Sequence, residues 1–587
     1  MCKLTPALTR ALACAALLLA CGAALHVNAQ TPDPGAAGPL AVTREEYNYG
    51  DLAFTPTGFP SAVELKASVH YPTGLPGGPY PVVVFLHGRH VTCYRNTTTA
   101  LRWPCRNGET VIPSYQGYDY IAQNLASNGY IVVSVSANGI NAFDNNVTDL
   151  GMQARAELIQ RHLQQWNTFN TAGAAPFGTK FVGKVNLQKV GTMGHSRGGE
   201  GVVKHYVYNT SQGSPYGIKA VFPLAPVDFN RPVANNTALA VALPYCDGDV
   251  NDNQGVHFYD DARYNVAGDT KPKHTIQVMG ANHNYFNTVW TPGLFPAGGA
   301  DDWGFTSGGS TDPQCGTVSG NHRLTAAQER GVGLAYISAV MRAYVGDESQ
   351  FLPYLTGEAA PPPSAQTSEI HVSYHAPDTA ATRRDVNRLL TSTNLTTNTL
   401  GGATTQTGLT PHDLCGGPSP QPQHCLPSTQ ATTRQPHTTP SARATTTRGL
   451  SQLRTGWSAI TANYRNDLPT GATNVSGFRW LTFRVSVNFA DTRNPSGIGQ
   501  NFSVVLTDGA GATSAVTVAS YSDVLFYPPG SVGPVPKVLL NTARIPVTAF
   551  SGVNLADIRS VQFKFDQSPS GALLISDVAF ASAPTVP

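Results

Sequence analysis

Two hydrophobic textures divide the chain. In the N-terminal part, short continuous apolar runs alternate with segments of helical period. Pro81-Val82-Val83-Val84-Phe85-Leu86 is one such run, and Tyr130 to Ser136, Lys189 to Met193, Ile218 to Leu224, Leu239 to Tyr245 and Thr275 to Met279 are further strand-compatible segments. Apolar runs without polar alternation predict strands buried on both faces, as in a parallel sheet. Between them, residues 118–128 predict a helix closed by Gly129. Ala154 to Trp166 places Leu158, Ile159, Leu163 and Trp166 on one helical face. Glu200 to Tyr208 is helix-compatible, and Thr325 to Tyr344 predicts a helix opened by a Thr325/Gln328 capping box. Strands alternating with helices predict an α/β fold over residues 40–350, with a mostly parallel central sheet covered on both faces.

The texture then changes. Residues 358–367, with Pro361-Pro362-Pro363, predict a linker. Beyond it, Phe483, Val485, Val487 and Phe489 alternate with Arg484, Ser486 and Asn488, and Val561, Phe563 and Phe565 alternate with Gln562 and Lys564. Val504 to Thr507, Asp508-Gly509 and Thr513 to Ala519 predict a hairpin. Period-two patterning of this kind predicts an antiparallel β-sandwich domain over residues 368–587, and Ile370 to Tyr374 is placed with it. Within that domain, residues 391–448 are rich in Thr, Pro, Gln and Gly with little apolar periodicity, which predicts a long loop or disordered insertion.

Composition narrows the class. At 587 residues the chain is too long for one ordinary domain. Only 13% of residues are charged and the formal net charge is +2, so nothing in the charge points to nucleic acid. Lys3 and Arg10, the apolar stretch Ala11 to Leu19, and Val27-Asn28-Ala29 before Gln30 predict an export signal over residues 1–29, cleaved after Ala29. That stretch is too short to span a membrane. Leu18-Leu19-Ala20-Cys21 supports a second reading, a lipoprotein anchored at Cys21. Loss of the signal leaves Cys93, Cys105, Cys246, Cys315, Cys415 and Cys425, an even set that suits disulfides in a secreted or periplasmic protein. Short loops favour Cys93–Cys105 and Cys415–Cys425, which leaves Cys246–Cys315. No cysteine spacing resembles a zinc site.

The chemistry centres on Gly194-His195-Ser196-Arg197-Gly198-Gly199, which follows the Lys189–Met193 strand and precedes a helix. Gly-x-Ser-x-Gly in a strand–turn–helix context predicts a nucleophile elbow, with Ser196 Oγ exposed by a sharp turn. A serine hydroxyl needs a base, a group that orients the base, and oxyanion donors. Downstream, Leu239 to Tyr245 runs into Cys246-Asp247-Gly248-Asp249-Val250. Asp249 is the favoured acid and Asp247 the alternative, the other carboxylate capping a turn. The Thr275–Met279 strand runs into Gly280-Ala281-Asn282-His283, and His283 is the expected base. The oxyanion donors are expected to be the backbone amides of Arg197 and of Arg89, after His87-Gly88. The His87 side chain reads as structural. Arg89, His90 and Arg197 suit an acidic substrate group or, preferably, pair with local carboxylates such as Glu200.

The order Ser196, Asp249, His283, the strand ending at His87-Gly88, and Ala126-Ser127-Asn128-Gly129-Tyr130 resemble the α/β-hydrolase superfamily over about the first 345 residues. Gly194 to Gly199 resembles the elbow of chlorophyllase, cutinase-like and platelet-activating-factor acetylhydrolase relatives. The resemblance implies ester hydrolysis through an acyl-enzyme, without metal or cofactor. Phe286 to Asn321 departs from it as a long insertion rich in Gly, Trp and Asp, placed to line or cover the site. The sandwich is similar to jelly-roll carbohydrate-binding modules, in which Trp480 and Tyr521 are either ligand platforms or core residues. The sequence thus reads as a secreted serine esterase acting on an extracellular polymer such as a polyester or acylated polysaccharide. The alternatives are a lipase or peptidase with the same triad, or a binding or adhesion protein on an inactive scaffold.

Overall fold

The computed structural model describes residues 31–303, 312, 314–317, 320–365, 368–390, 394–430, 432–443, 450–528 and 535–583. The expected signal segment and Cys21 lie outside the described residues.

The apolar runs assemble into one nine-stranded sheet. In chain order its strands are β1 (Val42–Asn48), β2 (Lys66–Pro72), β3 (Tyr80–Leu86), β4 (Ile131–Val135), β5 (Val185–His195), β6 (Ile218–Leu224), β7 (Ala238–Pro244), β8 (Lys273–Val278) and β9 (Ile370–His375). Their order across the sheet is β1-β2-β4-β3-β5-β6-β7-β8-β9. Pairings from β4 through β8 are parallel, and those of β1–β2, β2–β4 and β8–β9 are antiparallel. The connections carry helices α1 (Asp119–Ser127), α2 (Asn138–Phe143), α3 (Met152–Thr171), α4 (Arg197–Ser211), α5 (Val256–Ala262) and α6 (Ala326–Tyr344). Strand side chains alternate between faces, so an all-apolar run serves two cores. Val82, Val84 and Leu86 of β3 pack in one layer with Leu158 and Leu163 of α3 and Val202 of α4. Val83 and Phe85 pack in the other with Ile121 of α1 and Ile337 of α6. The capping box of α6 is formed, Thr325 Oγ1 accepting from the Gln328 amide at 3.2 Å and Gln328 Oε1 from the Thr325 amide at 2.9 Å.

The C-terminal alternation forms two antiparallel sheets. One contains Arg383–Asn387, Leu409–Cys415, Gln452–Trp457, Trp480–Val487, Asn541–Pro546 and Gly571–Ala581, and the other Thr404–Thr407, Asn463–Asp467, Ser503–Asp508, Thr513–Thr517 and Ile558–Lys564. Phe483, Val485, Phe563 and Phe565 meet in one core cluster.

Three expectations are corrected. Ile370 to Tyr374 is not a sandwich strand: as β9 it closes the edge of the mixed sheet, with Val278 opposite Ile370 and Lys273 opposite His375. Alternation marks any half-buried strand and does not say which sheet accepts it. Residues 358–367 are not a free linker in their described part. Pro363–Ala365 forms a single turn whose Ser364 amide and Oγ donate to Asp33, and Ala365 joins the core around α6. Finally, the polar stretch 391–448 contains sandwich strands: Thr404–Thr407 pairs with Asn463–Asp467, and Leu409–Cys415 with Gln452–Trp457. Threonine suits a strand, and backbone pairing does not require apolar side chains.

Cys93–Cys105, Cys246–Cys315 and Cys415–Cys425 are disulfides. They suit an oxidising compartment. Among the described residues no helix is long and apolar enough to cross a membrane.

Residues from Asp33 onward form one compact unit. Charged side chains are buried where the sandwich meets the mixed sheet. Asp260 of α5 pairs with His437 Nδ1 at 2.7 Å and Arg484 Nη1 at 2.9 Å, and Arg263 pairs with Asp577. Leu539 enters the core of the mixed sheet. Lys537 Nζ donates to Tyr245 O at 2.7 Å and Asn253 Oδ1 at 2.9 Å, beneath the loop that leaves β7. Burial pulls the Lys537 ammonium down to about 7. Trp480 is buried here against Tyr374, a packing role, whereas Tyr521 is exposed.

Candidate active site

Strand β5 delivers Ser196 at the C-terminal edge of the parallel strands, and α4 begins at the next residue. Ser196 has φ 58° and ψ −124°. For a residue with a side chain this conformation costs about 1–3 kcal/mol and persists only where the surroundings enforce it. The neighbouring glycines are what allow the turn to close. A Cβ on Gly194 would stand 2.0 Å from Gly198 O, and one on Gly198 would stand 2.4 Å from Leu86 O. A Cβ on Gly88 would meet Ser196 Cβ at 2.5 Å, which brings the loop after β3 against the serine.

The loops after β7 and β8 bring a carboxylate and an imidazole to the same edge. His283 Nδ1 is 2.9 Å from Asp247 Oδ2, and both side chains are buried. Asp247 Oδ1 accepts from the amides of Asp249 at 3.0 Å and Val250 at 2.6 Å. The carboxylate on His283 Nδ1 is thus Asp247 and not the expected Asp249. The turn-capping role was assigned to one carboxylate and the histidine to the other. Asp247 does both, one oxygen for each. Asp249, two residues on, points to the opposite side of the turn. Its side chain is 64% exposed, and Oδ2 lies 3.7 Å from His283 Nε2. The ring of His195 lies 4.9 Å from that of His283, which sets the base beside the elbow. Ser196 Oγ and His283 Nε2 are not hydrogen-bonded to each other in this resting geometry. Such bonds commonly tighten only when substrate is bound. Burial disfavours the imidazolium, but Asp247, Asp249 and Asp302 outweigh it and push His283 up to about 10.

Asp302 was not foreseen. It belongs to the insertion after His283, and its Oδ2 accepts from the amides of Gly248 at 2.8 Å and His283 at 3.0 Å. One carboxylate thus ties the acid loop to the base loop. Burial, then Asp247, push it up to about 6 against the pull of His283. Cys246–Cys315 pins the same insertion to the acid loop. Glu329 of α6 accepts from the Asn282 amide at 2.8 Å, and burial holds its carboxyl well above the usual range. No local spacing marks Asp302 or Glu329, because their partners are backbone amides distant in sequence. Asp302→Ala would leave two buried amides without that acceptor. It is expected to lower kcat by about 10²-fold with a smaller change in KM, which steady-state kinetics would show.

The His87 ring is structural, as expected. Nε2 accepts from the Ala137 amide at 2.9 Å, so Nδ1–H donates to Gly88 O at 2.8 Å. Asn141 Nδ2 donates to the same carbonyl at 2.9 Å. These bonds fix the loop that carries the Arg89 amide. Arg197 is the first residue of α4, so its amide has no acceptor within the helix and lies at the positive end of the helix dipole. The guanidinium groups of both arginines turn to Asp144, at 3.1 Å for Arg89 and 2.8 Å for Arg197, and Arg155 joins them at 2.9 Å. Their partner is thus Asp144 and not Glu200, which accepts instead from the amides of Phe229 and Asn230. An aromatic wall closes the opposite side. His90 stacks on Trp290 at 5.4 Å, Trp290 lies 4.8 Å from His195, and Tyr118 Oη meets His195 Nδ1 at 2.9 Å. Trp290, like Asp302, comes from the insertion.

Protein-family models give no match to this chain, and neither do curated proteins. The functional reading therefore rests on the site: a strained serine at a helix N-terminus and a buried His–Asp pair close to it.

Proposed function

We propose that the chain is an exported serine hydrolase that cleaves carboxylic esters through an acyl-enzyme. The single observation that carries this reading is the backbone of Ser196, strained between β5 and α4 next to the His283–Asp247 pair. The strand order β1-β2-β4-β3-β5-β6-β7-β8 supports assignment to the α/β-hydrolase superfamily. Ser196 Oγ attacks the ester carbonyl while His283 Nε2 takes its proton. Asp247 holds the Nδ1–H tautomer and stabilises the imidazolium. The Arg89 and Arg197 amides receive the oxyanion of the tetrahedral intermediate. His283 then protonates the departing alkoxide, and water releases the acid by the same steps in reverse roles. The three disulfides suit export, and the buttressing sandwich suits a large extracellular substrate such as a polyester or an acylated polysaccharide.

A fluorophosphonate probe tests the reading. Wild type is expected to be labelled on the peptide containing Ser196, and Ser196→Ala to lose both the label and ester turnover. A folded wild type that takes no label would favour the non-catalytic binding protein.

A further inference from the structure

Asp249 is not needed to hold the base, since Asp247 does that from the buried side. Its exposed carboxylate stands 3.7 Å from Nε2, the nitrogen that passes its proton to the leaving oxygen. A group beside that nitrogen faces the alcohol half of a bound ester. Among the described residues, no lysine or arginine pairs with the Asp249 carboxylate, and His283 is its ion-pair partner. The cations that border the site on the elbow side, Arg89 and Arg197, share the Asp144 carboxylate with Arg155, which offsets their charge only in part. Asp302, another acid close to the histidine, is buried, and its oxygens face inward onto the amides of Gly248, His283 and Asn284. The leaving-group side therefore presents one solvent-facing carboxylate whose ion-pair partner is the imidazole of His283 itself.

We propose that Asp249 is a specificity-determining residue that selects esters whose alcohol carries a positive charge. This rests on the serine-esterase reading. An ammonium group two or three bonds beyond the ester oxygen would reach the Asp249 carboxylate while the carbonyl sits over Ser196. The attraction is present in the ground state and carries through to the transition state. A negatively charged alcohol would meet repulsion at the same point.

The test compares acetylcholine with its uncharged carbon isostere, 3,3-dimethylbutyl acetate, on wild type, Asp249→Asn and Ser196→Ala. The ratio of kcat/KM for the two esters is the readout, because effects of Asp249 on the basicity of Nε2 cancel in it. Wild type is expected to favour the cationic ester by about tenfold, and Asp249→Asn to bring the ratio to within about twofold of unity. Added tetramethylammonium is expected to inhibit wild-type hydrolysis of the neutral ester and to have little effect on Asp249→Asn. A wild-type ratio near unity, a ratio unchanged in Asp249→Asn, or no turnover of either ester by a wild type that labels at Ser196 would overturn the proposal. Turnover retained by Ser196→Ala would instead overturn the esterase reading.

Discussion

Asp247→Asn is expected to lower kcat about 10⁴-fold, and Asp249→Asn to raise turnover at neutral pH by up to about tenfold. The two residues are separated by one glycine, yet they touch opposite nitrogens of one ring. An asparagine at 247 keeps its single oxygen on the amides of Asp249 and Val250, where Asp247 Oδ1 now accepts. Its NH₂ group then faces His283 Nδ1 and forces that nitrogen to accept. The ring proton moves to Nε2, the atom that must take the serine's proton, so the base is lost while the fold is kept. Asparagine at 249 instead removes a charge that holds a proton on Nε2. Turnover of a chromogenic ester, measured beside a thermal melt for each variant, distinguishes the roles. The opposite ranking would return the orienting role to Asp249.

The pH profile carries the second large effect. His283 acts as a base only when neutral, and the carboxylates of Asp247, Asp249 and Asp302 overcome burial to push it up to about 10. The neighbouring imidazole of His195 is itself held neutral, burial driving its pKa well below the ordinary value. The acid limb of kcat/KM is therefore expected well above pH 7, with activity still rising toward pH 10. The contribution of the same group to stability runs the other way. A histidine with a raised folded pKa stabilises the native state fully below its unfolded value near 6.5, and that contribution is lost as pH rises through about 10. Alkaline buffers should thus speed turnover while removing the ion pair's share of stability. Asp249→Asn should move the acid limb down in pH. A limb at or below the ordinary imidazole value in wild type would contradict this electrostatic picture.

The α/β order and the strand-to-helix turn at Ser196 were legible because each has a local signature. An unbroken apolar run marks a strand buried on both faces, and Gly-x-Ser-x-Gly marks a turn too tight for larger neighbours. The choice between Asp247 and Asp249 was not legible. Both follow the same strand end, and which one turns inward depends on the amides that Asp247 collects from the turn itself. The partner of Arg89 and Arg197 was equally hidden. Asp144 lies more than fifty residues from each and reaches them only through the packing of the loops. Strand ownership failed for the same reason: the period of Ile370–His375 reports half-burial, and only the fold shows that β8 is its neighbour. The threonine-rich segment misled because its strands are held by backbone ladders, which leave no hydrophobic pattern to read.

The buried lysine at 537 bears on what kind of machine this is. Here the sandwich side contributes a side chain that grips Tyr245 and Asn253 on either side of the acid loop, and Leu539 fills space under the central strands. A fragment ending near residue 358 would lose its edge strand β9, part of its own interior and the underside of the Asp247 turn. The two halves thus form one packed body, and the first half alone would have no floor beneath the turn that holds Asp247 against His283.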